Sequence, residues 1–337
     1  MRHLLYRPAR ETTRCACCGS TKIRHLEATH QRKMPGTEER VAFISGCRDC
    51  GAVFINPRPE SDTLKSCYAP DGEWAQNRAV SEQTRNETLR ALKVERYAEM
   101  LARLAALGVD CRQPFGSGEA LDFGCGPGFF MDALAKCGWH CAGIDPATAP
   151  FLTRHRMLDT IPETRQFSLI SALHVLEHVD GQVDLLRKFR GCLHEDGILL
   201  IAVPSFHELP KHTRKHYCIN YPNHIVALTD RAIETILAMA GFDLLSGTAN
   251  VWANSYLVAA RRSATAAAKI SRKPLSAAIA ALKDSKTGDI RSGWLWRRLP
   301  IRYRAARMNA FYTGKIKRRR ERKARRQQEA AEIVPRA

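Results

Sequence analysis

No stretch of about 18 uncharged apolar residues occurs in this chain of 337 residues, so no segment reads as a membrane-spanning helix. Residues 1–12 carry Arg2, Arg7 and Arg10 and no apolar run of signal-peptide length, so the expectation is a cytoplasmic protein. In such a chain disulfides are not expected either, and the 12 cysteines read as metal ligands and buried thiols. No internal repeat is evident. Net charge is missing from most of the length. Residues 261–337 hold 23 Lys and Arg against 5 Asp and Glu, which is +18 of the whole-chain +19 and leaves +1 for residues 1–260. Those first 260 residues therefore need not bind a polyanion. What is present is 45% hydrophobic content, enough for a real core and about two domains.

Leu121-Asp-Phe-Gly-Cys-Gly-Pro-Gly-Phe129 reads as a short apolar strand, a tight glycine turn and the start of a helix. A second strand ends in an acid at Asp145, 21 residues past Gly124. Gly124, Gly126 and Gly128 allow positive φ and close approach of a ligand to the main chain. Ligands of open α/β sheets sit beside such turns, and an acid at this distance can hold both ribose hydroxyls of a nucleoside. A dinucleotide fingerprint needs a small residue where bulky Phe129 stands, and no Lys-Ser/Thr follows to grip phosphates. The G-x-G-x-G spacing leaves room for an uncharged or zwitterionic group. It resembles motif I of the class I S-adenosylmethionine methyltransferases, with Asp145 at their ribose-binding acid. Candidate cofactor residues are Asp122, Gly124, Gly126, Gly128 and Asp145; the bland reading is a purely structural turn.

Ahead of that turn, Cys15-Ala-Cys-Cys18-Gly and Cys47-Arg-Asp-Cys50-Gly form two C-x-x-C knuckles separated by 28 residues. Cys15, Cys18, Cys47 and Cys50 fit a tetrahedral structural zinc ribbon over residues 12–60. Cys17 could stand in for Cys15 or Cys18, and buried free thiols are the bland alternative. Residues 61–118 read as a helical connector, with Leu89, Leu92, Tyr97, Met100, Leu101, Leu104 and Leu107 at helical spacing and Gly108 as the stop. From Ala120 strand and helix alternate, which predicts a doubly wound α/β sheet over 119–261, with strands at 120–123, 140–144, 167–172, 197–203 and 251–259. Thr229 is read as the cap of a helix that Gly241 closes.

Residues 262–337 differ. Aromatic Trp294, Trp296, Tyr303 and Phe311 interleave with arginines, and 315–326 are nearly all basic. An anionic membrane surface at the inner face of the membrane is one expected partner. A helix capping the core, followed by a solvated end, is the equal alternative; nucleic-acid backbone ranks behind both.

C-x-x-C-G-S, then C-x-x-C-G-x-V-F-x-N-P-x-P, L-D-F-G-C-G-P-G and V-L-E-H resemble a bacterial family that joins an N-terminal zinc-binding domain to a methyltransferase domain, and that includes sugar C-methyltransferases. The resemblance covers about residues 12–260. It implies S-adenosylmethionine as methyl donor, structural Zn2+, and a small-molecule or saccharide-linked acceptor. His174, Glu177 and His178 follow the fourth strand, whose carboxyl end faces the donor methyl in this fold. His174 is assigned to the cofactor side, and Glu177 and His178 are candidate catalytic residues, with a helix start as their structural alternative. His224 matches a position facing the substrate pocket, or else is a loop histidine holding the chain. His207, His212 and His216 form a histidine-rich loop read as substrate contacts. Two features depart from the family: Ser168 stands where an Asp is common, and only 22 residues separate Asp145 from Ser168, so the third strand is short and the adenine-binding acid has no clear place beyond Asp159. The rival expectation is a scaffold protein with a vestigial methyltransferase fold.

Overall fold

The computed structural model describes residues 14–31, 40–56, 87–146, 154–164, 167–204, 224–249 and 255–264. The aromatic-basic tail, the histidine loop with His207, His212 and His216, and most of the segment before the connector helix lie outside the described residues. Among the described residues no helix is long and apolar enough to cross a membrane.

The elements run β1 (Ile23–Gln31), β2 (Arg40–Cys47), β3 (Val53–Asn56), α1 (Glu87–Ala106), β4 (Glu119–Phe123), α2 (Phe129–Lys136), β5 (His140–Ile144), β6 (Arg156–Met157), β7 (Phe167–Leu173), α3 (Gln182–Cys192), β8 (Leu193–Pro204), β9 (Val226–Ala227), α4 (Asp230–Met239), β10 (Phe242–Ala249) and β11 (Ser255–Arg262). The large sheet has the order β10-β11-β8-β7-β4-β5-β6. β4 to β8 are parallel, while β11 lies antiparallel between β8 and β10. The expected doubly wound sheet is present, closed at one edge by an antiparallel pair. The third strand is indeed short, two residues at Arg156–Met157.

Period-two alternation sorts the core onto two faces. Ala120, Leu200, Leu257 and Ala259 join Met100, Leu101 and Leu104 of α1 and Phe130 and Leu134 of α2 in one cluster. Leu121, Leu199, Ile201 and Val258 join Phe189 of α3 and Ile233 and Ile236 of α4 in the other. β7 lies between both layers, so Phe167 to Ala172 are all buried, as a parallel strand covered on two sides requires. The connector helix α1 is thus a layer of this fold. It is tied to α2 through Arg90, whose Nε donates to Asp132 Oδ2 at 2.6 Å while His155 Nε2 meets Asp132 Oδ1 at 2.9 Å. Thr229 caps α4 by accepting from Ala232 N, and Gly241 follows the helix with φ 83.

A second sheet, β1-β2-β3-β9, carries the cysteine knuckles. Its first three strands come from the N-terminal segment, but β9 comes from residues 226–227. Val53 pairs with Ala227 and Phe54 with Val226. Phe54, Cys47 and Cys50 are buried in the same cluster as Phe189 and Ile233, so the N-terminal module sits on the α3/α4 face of the large sheet.

Candidate active site

The chain order of the large sheet reverses between β4 and β7: β5 and β6 extend one way from β4, β7 and β8 the other. In open α/β sheets ligands bind at such a switch point, beyond the carboxyl ends of the strands. Gly124 leaves β4 there, and its amide and that of Cys125 donate to Ile144 O at 2.7 and 3.3 Å, binding the turn to the end of β5. Gly126 N donates to Asp145 Oδ2 at 2.8 Å, so the acid is oriented by the glycine turn itself. Gly124 has φ 75, and a Cβ there would collide with Val175. The turn is therefore pressed against the segment that follows β7. Gly126 and Gly128 also take positive φ, 51 and 81.

Asp122 is buried inside the sheet rather than exposed at the turn. It accepts from Ser171 Oγ at 2.7 Å, its direct partner in the β4/β7 register. Burial pushes its carboxyl up to about 7, with the nearby Asp145 charge adding to the rise and the Ser171 hydrogen bond opposing it.

His174 ends β7 with φ 57, the only positive φ of a non-glycine among the described residues. Such backbone strain collects at functional sites. The residue is held by His174 N donating to Ala202 O at 2.8 Å. Its ring bridges Glu177 Oε1 (3.2 Å from Nδ1) and Ser255 Oγ (2.6 Å from Nε2). An ionised carboxylate only accepts, so the Nδ1 proton points at Glu177. Glu177 is 1% exposed. Burial raises its carboxyl, but the His174 hydrogen bond and the charges of His174, His178 and His224 outweigh that and hold it below the usual carboxylate range. His178 Nε2 lies 3.9 Å from Glu177 Oε1, and the His178 and His224 rings pack edge to face with centroids 4.8 Å apart. Glu177 and His178 lie in a turn; helix α3 begins only at Gln182. Ile225 N and Val226 N both donate to the Glu177 carbonyl, at 2.9 and 3.2 Å, which brings His224 to His178 across 46 residues of chain.

The sulfurs of Cys15, Cys18, Cys47 and Cys50 all lie within 4.8 Å of one another. Cys15 to Cys50 and Cys18 to Cys47 measure 3.7 Å each. Bonds of about 2.3 Å to one tetrahedral zinc separate sulfurs by about 3.8 Å, so the four residues fit that ion. Cys17 stands outside the group; its carbonyl accepts from Val183 N at 3.1 Å, and that of Ala16 from Gly181 N at 2.9 Å.

Thus Gly124, Gly126, Gly128, Asp122 and Asp145 gather at one end of β4 and β5, and His174, Glu177, His178 and His224 at the same end of β7. Ser168 lies at the other end of β7, roughly 20 Å away along the strand. There it accepts from Ser117 N at 2.8 Å, so the departure from the family pattern fastens a loop remote from the switch point. Asp159 is exposed beyond β6. Sequence reasoning missed Ser171 and Ser255. The first is visible only through strand register, and the second is 81 residues from the histidine it holds, with no local pattern to mark it.

Residues 88–246 match the profile of a family described as "Methyltransferase domain". Among curated relatives, the ubiquinone biosynthesis O-methyltransferase of Haemophilus ducreyi is 23% identical over 173 residues, covering 41% of this chain and 73% of the relative. That of Glaesserella parasuis is 28% identical over 120 residues, 30% of this chain and half of the relative. Among solved structures, Burkholderia thailandensis 1,6-didemethyltoxoflavin-N1-methyltransferase, with bound 1,6-didemethyltoxoflavin and S-adenosylhomocysteine, is 14% identical with a TM-score of 0.43, covering 70% of this chain and 100% of that one. An S-adenosylmethionine-dependent methyltransferase from Mesorhizobium loti is 14% identical with a TM-score of 0.36, covering 48% and 96%.

Proposed function

We propose that this S-adenosylmethionine-dependent methyltransferase transfers the donor's methyl group to a hydroxyl of a small-molecule acceptor held beside Glu177, His178 and His224. The enzyme class is that of the domain matched over residues 88–246 and of the curated relatives. The acceptor atom is the finer part of the reading. It is supported by the relatives' names as O-methyltransferases and by imidazole and carboxylate groups of the kind that activate a hydroxyl. A saccharide-linked acceptor has only the motif resemblance behind it.

One observation carries the assignment of the site: Gly126 N bonds Asp145, and Gly124 packs on Val175, so turn, acid and histidine segment lie side by side. In this reading Gly124, Gly126 and Gly128 would border the adenosine, Asp145 would take the ribose hydroxyls, and the donor would supply an electrophilic methyl group to an acceptor beside the end of β7. His174 belongs to the wall between donor and acceptor. The acceptor oxygen forms its bond to the methyl carbon as the sulfur–carbon bond breaks, its electron pair going to sulfur. The acceptor's proton leaves to the Glu177–His178–His224 group or to solvent beside it. Alignment of the two reactants supplies most of the acceleration. Cys15, Cys18, Cys47 and Cys50 hold zinc in a closed, structural site.

Incubation with methyl-labelled S-adenosylmethionine and a fractionated cell extract tests this. Label is expected in a small-molecule fraction, and Asp145→Ala is expected to weaken donor binding by about tenfold or more, the scale of a lost charged hydrogen-bond pair. Unchanged donor affinity in that variant would remove Asp145 from the ribose site.

A further inference from the structure

We infer that Glu177, His178 and His224 form a second metal site, one for a divalent transition-metal ion and distinct from the four cysteines. One carboxylate oxygen and one nitrogen from each imidazole lie within 4.8 Å of one another. Glu177 Oε2 is buried without a hydrogen-bond partner among the described residues. A buried acceptor of that kind is costly, and a cation between the three side chains relieves it. Metal–ligand bonds of about 2.1 Å place neighbouring donors about 3.0–3.4 Å apart. The 3.9 Å between His178 Nε2 and Glu177 Oε1 therefore closes by less than 1 Å through rotation of the His178 ring, whose side chain retains 15% exposure.

The frame around these ligands is already fixed. The Glu177 carbonyl receives Ile225 N and Val226 N, so the backbone beside one ligand is bonded to the backbone beside another. His174, itself held by Ser255, orients the Glu177 carboxylate from outside the group, as second-sphere partners of metal ligands do. Two imidazoles and one carboxylate suit manganese, iron, cobalt or zinc better than calcium or magnesium. Three protein ligands leave positions open, the mark of a metal that meets substrate, whereas four thiolates close the other site. With neutral imidazoles and one carboxylate the loaded site keeps a net charge of +1. Its chemical partner is then an oxygen donor, a hydroxyl or phenol whose proton loss the cation favours; with the three side chains engaged as ligands, that proton leaves to solvent beside them. This use of the ion rests on the acceptor reading above; the site itself rests on the three side chains.

Mn2+ separates the two metal sites, because it prefers nitrogen and oxygen ligands to thiolates. Full-length protein carrying one equivalent of zinc per chain, enough for the four cysteines alone, is titrated with Mn2+ and free ion is followed by electron paramagnetic resonance. One bound Mn2+ per chain is expected, with affinity lowered by about tenfold or more in His178→Ala and in His224→Ala. Far-ultraviolet circular dichroism and S-adenosylhomocysteine binding check that each variant is folded, and His224→Gln serves where the alanine variant is not. Absence of Mn2+ or Co2+ binding by the wild-type protein, or equal binding by wild type and folded variants, overturns the site. Bound Mn2+ with no methyl transfer to any hydroxyl leaves the site standing and removes the acceptor reading. Methyl transfer to a hydroxyl undiminished in metal-free protein leaves the acceptor reading standing and overturns the ion's part in it.

Discussion

Asp122 gives the residue scale its sharpest consequence. Its carboxyl is pushed up to about 7 mainly by burial. Because this lies above the ordinary carboxylate value of 3.8, the folded chain keeps a proton that the unfolded chain has released between about pH 4 and 7. The group's contribution to stability is therefore full below that window and lost as pH rises through it. Donor binding at the proposed site would reverse the preference. With S-adenosylmethionine at the glycine turn, as proposed above, its sulfonium cation would favour the ionised carboxylate. Donor affinity is expected to rise with pH by up to about tenfold per unit below 7 and to level off above, the linkage of one released proton. Asp122→Asn keeps the shape and the bond from Ser171, and should flatten the profile. Calorimetry of donor binding from pH 5.5 to 8.5 checks this, and parallel profiles in wild type and variant would refute it. S-adenosylhomocysteine, without the sulfonium charge, should show the weaker slope. The turn and Asp145 were legible as residues because glycine spacing is a local property. The ionisation of Asp122 was not, because it depends mainly on burial within the sheet, which includes the neighbouring strand carrying Ser171, 49 residues away.

At the scale of elements, the knuckle of the N-terminal module and the segment carrying Glu177 are one construction. Helix α3 has no side-chain cap, and its first amides are instead taken by the Ala16 and Cys17 carbonyls. Buried helix ends need such partners. At the other margin β3 pairs with β9, and Ile55 N donates to Ile225 O at 3.1 Å. Ile225 N in turn donates to the carbonyl of Glu177. Opening the thiolate cluster with Cys47→Ser and Cys50→Ser together should thus uncap α3 and loosen β9, at about 1 kcal/mol for each hydrogen bond lost. Amide hydrogen exchange is expected to rise at Gly181, Val183, Ile225 and Val226 while β4 and β5 stay protected, and methyl transfer to fall more than donor binding. Protection at those four amides unchanged in a protein that has lost its thiolate metal would break the connection. The knuckles were plain in the sequence, since C-x-x-C is a spacing of four residues. The β3–β9 pairing was hidden, because a two-residue strand has no period to read and its partner lies about 170 residues away. Strand β10 escaped for a related reason: Phe242–Ala249 mixes polar and apolar residues without alternation.

For the whole molecule, charge divides the chain near the end of the last described strand. The last described strand is bonded back into the core: Ser263 N donates to Gly241 O at 2.9 Å, and Arg262 Nη1 to Leu193 O at 3.3 Å. Residues 1–260 carry a net +1, whereas residues 261–337 carry +18. The glycine turn with Asp145, the cysteine cluster and the Glu177–His178–His224 group all lie in the first part. Attraction to any polyanionic surface must then come from the second part, and must weaken with salt as screening requires. A chain ending after Ala264 is expected to bind S-adenosylhomocysteine within about twofold of the full chain, since no charge of the tail is needed for a zwitterionic ligand. The full chain should bind vesicles containing anionic lipid at low salt and release them as salt rises, while the shortened chain binds neither anionic nor neutral vesicles. Sedimentation with vesicles at two salt concentrations distinguishes the outcomes. Retained binding by the shortened chain would move the basic surface into residues 1–264. No binding by the full chain would assign its positive charge to some other polyanion, with nucleic acid tested next by the same salt series.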